Sequence, residues 1–311
     1  MQLIRNIQHF PAASTGCALT IGNFDGVHLG HQAILRHLRQ RASELGLPSV
    51  VMLFEPQPRE YFQAQQAPAR LMRLRNKLQH LAKFGVDYVI AVKFDRTFAE
   101  KSAQDFIQEW LVNRLNVRFL SIGDDFRFGA KRLGDFSLLQ QAGKQFGFQV
   151  EYNHSFCLDQ LRISSTAIRE ALATDNLTLA AQMLGRPYCI LGRVTRGNQI
   201  GRTLGFPTAN IALQRQVNPI QGVYVVKVRL QNGNQYQGIA NVGKRPTING
   251  ITQLLEVHIF DFNQKIYGQF LEVEFCQKIR NEQKFPSLPE LTEQIKKDIQ
   301  QAKAYFQNKN L

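Results

Sequence analysis

The chain has 311 residues, enough for two domains or one large one. Its 44% hydrophobic and 20% charged residues are those of an ordinary globular protein, and no apolar run approaches the length of a membrane span. A net charge of +14 suits a phosphate-rich partner. The basic residues are dispersed, however (Arg70, Arg73, Arg75 and Lys77; Arg193, Arg196 and Arg202), and read as a solvated surface with no RNA-binding aromatic signature. Residues 1–15 lack the apolar core of a signal peptide. The four cysteines (Cys17, Cys157, Cys189, Cys276) lack metal-ligand spacing, which predicts reduced, mostly buried thiols in a cytoplasmic protein.

In the first half, strand-like runs at 17–21, 49–54, 87–92, 117–122 and 148–152 alternate with helical patterns at 31–45, 71–84, 103–115 and 136–146. Such alternation predicts an α/β, Rossmann-like parallel sheet covered on both faces, with ligands at the carboxyl ends of its strands. The stretch Thr20-Ile21-Gly22-Asn23-Phe24-Asp25-Gly26-Val27-His28-Leu29-Gly30-His31 falls at such an end, between a strand and a helix. A glycine-rich turn there aims backbone N–H groups and the positive helix end at an anion such as phosphate. His28 and His31, three apart, can face one ligand and donate to phosphoryl oxygens. The plainer alternative is a glycine turn flanked by surface histidines.

Two more loops follow strands: the proline-stiffened Phe54–Glu60 segment, and 123–129 with Asp125, Phe126, Arg127 and Phe128. The latter also fits a simple turn over buried phenylalanines. Next comes Arg162-Ile163-Ser164-Ser165-Thr166-Ala167-Ile168-Arg169. Its hydroxyls suit a helix N-cap; together with Arg169 one turn in, they also suit a second phosphate cradle.

After a short helix at 177–184 the pattern changes. Strands are predicted at 188–193, 223–230, 235–241, 253–260 and 270–275, then a helix at 288–306. This describes a small antiparallel β-barrel with one packed helix, with the domain boundary near 185. Its chemical centre is Gly201-Arg202-Thr203-Leu204-Gly205-Phe206-Pro207-Thr208-Ala209-Asn210. Thr208 and Asn210, two apart on extended chain, offer hard oxygens to one side, as Mg²⁺ prefers; a turn is the alternative. Glu256 and His258 share one face of a strand, as a solvent-facing edge pair would also do.

G-N-F-D-G-V-H-x-G-H resembles the signature of bacterial bifunctional riboflavin kinase/FAD synthetases within the H-x-G-H nucleotidyltransferases; I-S-S-T-x-I-R and G-F-P-T-A-N match two further family motifs. The resemblance runs from Thr20 to about Phe285 and implies a nucleotidyltransferase domain at 1–184 and a riboflavin kinase-like barrel at 185–311. It implies ATP-dependent phosphorylation of riboflavin to FMN, then adenylylation of FMN to FAD with release of pyrophosphate. His28 and His31 would stabilise the transferring and departing phosphates, and Glu256 would be the base of the kinase step. Nucleotide contacts would come from Gly22, Asn23, Phe24, Asp25, Gly26, Gly30, Ser164, Ser165, Thr166 and Arg169, and in the barrel from Gly201, Arg202, Gly205, Phe206 and Pro207. Asp125, Phe126, Phe128, Arg162, Arg280 and Phe285 would meet flavin, while Thr208 and Asn210 would hold Mg²⁺ with ATP. The segment 241–247 resembles one associated with closure over substrate.

Riboflavin, FMN and ATP are thus the expected small-molecule partners, without nucleic acid or membrane; a homo-oligomer is left open. Two rivals are another H-x-G-H transferase, against which the P-T-A-N barrel argues, and a basic nucleic-acid-binding protein, to which dispersed charge gives little support.

Overall fold

The computed structural model describes residues 1–11, 14–123, 125–153, 156–158, 161–197, 200–213, 217–247 and 250–309; the side chains of 158, 200, 202, 244–247 and 250–252 also lie outside the description. The strands in chain order are β1 (Gln2–Ile4), β2 (Cys17–Ile21), β3 (Ser49–Glu55), β4 (Tyr88–Lys93), β5 (Val117–Gly123), β6 (Gln149–Asn153), β7 (Cys157–Leu158) and β8 (Leu161–Arg162). They continue with β9 (Cys189–Thr195), β10 (Ala209–Ala212), β11 (Gly222–Arg229), β12 (Gln235–Thr247), β13 (Gly250–Ile259) and β14 (Phe270–Arg280). Two compact units result: Met1–Pro68 with Met72–Ser165, and Ala69–Leu71 with Thr166–Leu311.

The first unit is built on a six-stranded sheet, order β1-β4-β3-β2-β5-β6, parallel throughout. Alternate residues of its central strands feed separate cores: Leu19, Val50 and Met52 pack on one side, Ala18, Val51 and Leu53 on the other. Burial on both faces is why these strands read as unbroken apolar runs. Successive strands step away from β2 in one direction, then resume at β5 on its other side. Its carboxyl end is therefore the crevice where a doubly wound sheet takes ligand.

Three details depart from the expectation. The edge strand β1 has three residues, too few for a periodic signal. The helix expected over 71–84 is Leu74–Lys83. The pattern at 103–115 is one α-turn, Ala103–Asp105, running into a π-helix, Phe106–Arg114; the Leu115 N–H reaches back five residues to the Trp110 carbonyl. Apolar spacing alone does not distinguish that wider turn.

The second unit is a closed antiparallel barrel in the order β10-β13-β12-β11-β14-β9. Closure depends on β10, four residues placed just after Pro207 and absent from the sequence expectation. It bonds to both β9 and β13. Gly192 makes room for it, since a Cβ there would lie 2.1 Å from Ile211 Cγ2. Inward residues such as Val226, Val228, Leu255, Val257, Leu271 and Val273 are fully buried. The helix Leu288–Lys309 seals the outside through Ala302 and Phe306 against Val225, Ile239 and Phe260. Helices Ser165–Ala173 and Leu177–Leu184 precede the barrel. Between them Asp175 accepts hydrogen bonds from Tyr224 at 2.8 Å and Lys278 at 2.7 Å.

All four cysteines are unbonded, but only Cys17 is fully buried. Cys157 is exposed on the two-residue strand β7, paired only with the equally short β8 among the described residues. Among the described residues no helix is long and apolar enough to cross a membrane.

Candidate active sites

At the carboxyl end of β2 the chain turns through three residues of positive φ, Phe24 (47°), Gly26 (87°) and Val27 (42°), before the helix Leu29–Glu44 begins. Two side chains that bear no glycine signature hold this strained turn. The Asp25 carboxylate, 2% exposed, accepts the Met72 N–H at 3.1 Å. Lys77, 0% exposed, donates its ammonium to the Asn23 carbonyl at 2.6 Å. A lysine read from the sequence as solvated surface is thus an internal brace. The Ser165 hydroxyl adds a bond to the Asp25 carbonyl at 2.8 Å.

His28 is the helix N-cap, its Nδ1 accepting the His31 N–H at 3.3 Å. That bond keeps Nδ1 unprotonated and places the neutral ring's proton on Nε2. The two imidazoles stack with centroids 3.6 Å apart and planes at 19°, and Phe24 closes against His31 at 4.9 Å. Gly30 permits the stack, because a Cβ there would press on the His28 ring at 3.3 Å. Burial, then the neighbouring His28, then Lys77, hold His31 well below the ordinary imidazole range. Its Nδ1 is buried and has no hydrogen-bond partner among the described residues. His31 is therefore a neutral ring in a preformed cluster at a helix N-terminus, where anions are favoured.

Also at the carboxyl edge of this sheet, Phe54, Phe94 and Phe98 form an edge-to-face cluster with Tyr61 and Phe62, and Phe62 is 64% exposed. Exposed aromatic surface of this kind suits a planar ring. The Phe54–Glu60 motif does not include Tyr61 and Phe62; paired large aromatics just after a strand-end loop are the local signal for the cluster. Phe126 and Phe128 stack at 5.6 Å, with Phe128 only 8% exposed against Phe106, so its ring is largely core. Asp124 lies outside the described residues; the Asp125 carboxylate lies above Gly123.

In the I-S-S-T-x-I-R stretch the helix starts at Ser165, and within the second unit the Arg169 Nε donates to the Ala69 carbonyl at 2.5 Å. Arg162 is exposed on β8.

The barrel carries a cavity of about 710 Å³, within the range of small-molecule sites. Glu256 and His258 both line it, while Leu255 and Val257 point into the core. Their strand is internal: β13 lies between β10 and β12, pairing Glu256 with Asn210 on one side and Asn241 on the other. One carboxylate and two amides therefore stand level on three adjacent strands. Thr208 lines the cavity at the approach to β10. The 201–206 loop is tight: Phe206 N–H bonds Gly201 O at 2.7 Å, and a Cβ on Gly201 would lie 2.4 Å from the Phe206 carbonyl. His258 Nδ1–H donates to the Pro207 carbonyl at 2.9 Å. The Arg202 side chain lies outside the description.

Arg280 reaches the cavity wall but is engaged there, bonding both oxygens of Asp298 (2% exposed) at 2.8–3.1 Å and lying 5.6 Å from the Phe285 ring. No three His, Cys, Asp or Glu side chains among the described residues gather as a metal site. Thr208 lines the cavity and Asn210 pairs with Glu256 across β10 and β13; a hydroxyl, an amide oxygen and a carboxylate are donor types that would suit Mg²⁺ arriving with a nucleotide.

A parallel sheet with an H-x-G-H crevice and a closed barrel with a hard-oxygen pocket together define a two-domain, phosphate-transferring enzyme class. A family model for FAD synthetase matches residues 10–167 and one for riboflavin kinase matches 184–306. The chain belongs to the bifunctional riboflavin kinase/FMN adenylyltransferase family. Relatives with that name include proteins of Haemophilus influenzae (67% identical, covering 98% of this chain and 99% of that one) and Escherichia coli K12 (54%, 98% and 98%). Another is from Pseudomonas fluorescens (48%, 98% and 97%). A crystal structure described as a macrolide-efflux protein from Streptococcus pneumoniae shares the fold, with a TM-score of 0.78 and 32% identity over 97% of this chain and 98% of that one.

Proposed function

We propose that residues 185–311 phosphorylate riboflavin with ATP to give FMN, and that residues 1–184 then transfer AMP from a second ATP to FMN, giving FAD and pyrophosphate. The stacked His28–His31 pair at a helix N-terminus beyond β2 supports this reading, because such a place favours an anion. In the adenylyl step an FMN phosphate oxygen attacks the α-phosphorus of ATP and pyrophosphate departs. His28 donates from Nε2, and the N–H groups around Gly22, Asn23 and Gly30 meet the developing charge. Ser164, Thr166 and Arg169 hold the triphosphate. Each such donor is worth about 2.7–4 kcal/mol in comparable sites. The aromatic cluster at Phe62 offers the flavin ring a face.

In the kinase step the attacking group is an alcohol, so Glu256 takes its proton as the oxygen bonds to the γ-phosphorus and ADP leaves. Thr208 and Asn210 would hold Mg²⁺, which neutralises charge on the phosphates. Phe285, fixed by Arg280, covers the flavin.

Incubation with riboflavin and Mg-ATP, followed by product separation, yields FMN and then FAD. His28→Ala stops at FMN. Glu256→Ala makes no FMN but still converts supplied FMN to FAD. A folded variant of either kind that lost both activities would overturn the assignment of sites to domains.

A further inference from the structure

Asn241 lies in the barrel cavity beside Glu256, its partner across β12 and β13. Directly opposed residues on neighbouring strands have Cβ atoms about 4.5–5.5 Å apart, so the amide and carboxyl are within reach of each other. The amide is not free to turn. Its Nδ2 donates to the Glu282 carboxylate at 3.2 Å, and Glu282 is let down onto the strand by Gly243, where a Cβ would fall 1.9 Å from Oε1. What remains is Asn241 Oδ1, a buried acceptor with no hydrogen-bond partner among the described residues. An unmet buried acceptor is costly, so a donor that appears during the reaction would find it waiting.

We propose that Asn241 is a positioning residue for the kinase step, accepting a hydrogen bond from Glu256 once that carboxyl has taken the substrate proton. This rests on Glu256 being the base. An ionised carboxylate is acceptor-only, whereas its protonated form has one O–H to give. A bond made only to the protonated form raises the group's proton affinity and makes it a more effective base near neutrality. The other titratable groups lining the cavity are His258 on the same strand, Arg280 at the end of β14, Glu282 and Lys284 just after it, and Asp298 on the terminal helix. Arg280 is taken up by Asp298, and Glu282 is drawn to Asn241 itself.

The test is the pH dependence of kcat/KM for riboflavin phosphorylation in the full-length protein. Asn241→Ala moves the acidic limb down by about one pH unit, and Asn241→Asp, a like charge beside Glu256, moves it up. Adenylylation of supplied FMN reports that each variant is folded. Opposite shifts from two substitutions at one position are not expected of a merely structural residue. Superimposable limbs in the three proteins overturn the proposal. Full phosphorylation by Glu256→Gln instead removes the base on which it rests, a separate and recognisable failure.

Discussion

Lys77→Met preserves most of the buried stem and deletes the ammonium that meets the Asn23 carbonyl at 2.6 Å. A hydrogen bond from a charged group contributes about 1.5–3 kcal/mol. Desolvating that ammonium also costs energy, so global stability changes less than this figure. The local effect falls on a turn with three positive-φ residues, which keeps its Met72 and Ser165 contacts but loses the brace beneath Asn23. If that bond energy is expressed in the transition state, adenylylation of supplied FMN falls roughly 10- to 100-fold. Riboflavin phosphorylation is unchanged. Lys77 is also one of the groups that disfavour protonation of His31, so the acidic limb of adenylylation moves to higher pH in the variant. Initial rates at saturating Mg-ATP, alongside a thermal melt, decide the matter. A folded Lys77→Met enzyme with wild-type adenylylation, or with equal loss of both activities, refutes the bracing role.

Three other outcomes follow from the geometry. His31 resists protonation when folded but titrates normally when unfolded, so the unfolded chain binds the extra proton below about 6.5 and stability falls with pH from there downward; His31→Gln flattens that part of a urea-midpoint-versus-pH curve. Asp298→Ala leaves the Arg280 charge, 19% exposed, without its carboxylate and destabilises the barrel unit by about 3–5 kcal/mol in denaturant titration, with a higher KM for riboflavin. In a native thiol titration Cys157 reacts first and Cys189 slowly, because burial pushes the Cys189 thiol up to about 12.

Much of the fold could be read from local pattern. The strands β2 to β5 announced themselves as apolar runs because both faces are covered, and the barrel strands followed as a succession without helices. H-x-G-H and P-T-A-N were visible as contiguous motifs. The missing pieces are those whose role depends on distant partners. Lys77 lies on a helix of mixed polarity, and only the fold brings it to Asn23, 54 positions away in sequence. Asn241 ends a predicted strand and gains meaning from its register with Glu256. β10 is too short to show a period, yet the barrel closes through it. The likeness in apolar spacing between an α- and a π-helix likewise hid the turn after Asp105.

The barrel's ladder returns to its own beginning, so β9 to β14 present no rim on which a stranger's strand could grow. The N-terminal sheet does end in rims. One is the three-residue β1, too brief a template; the other is β6, where Glu151 is tied to His37 at 2.6 Å and Arg41 at 3.4 Å. On warming or crowding, runaway polymerisation would start from that sheet once β6 sheds its charged clasp, while the barrel stays inert to it.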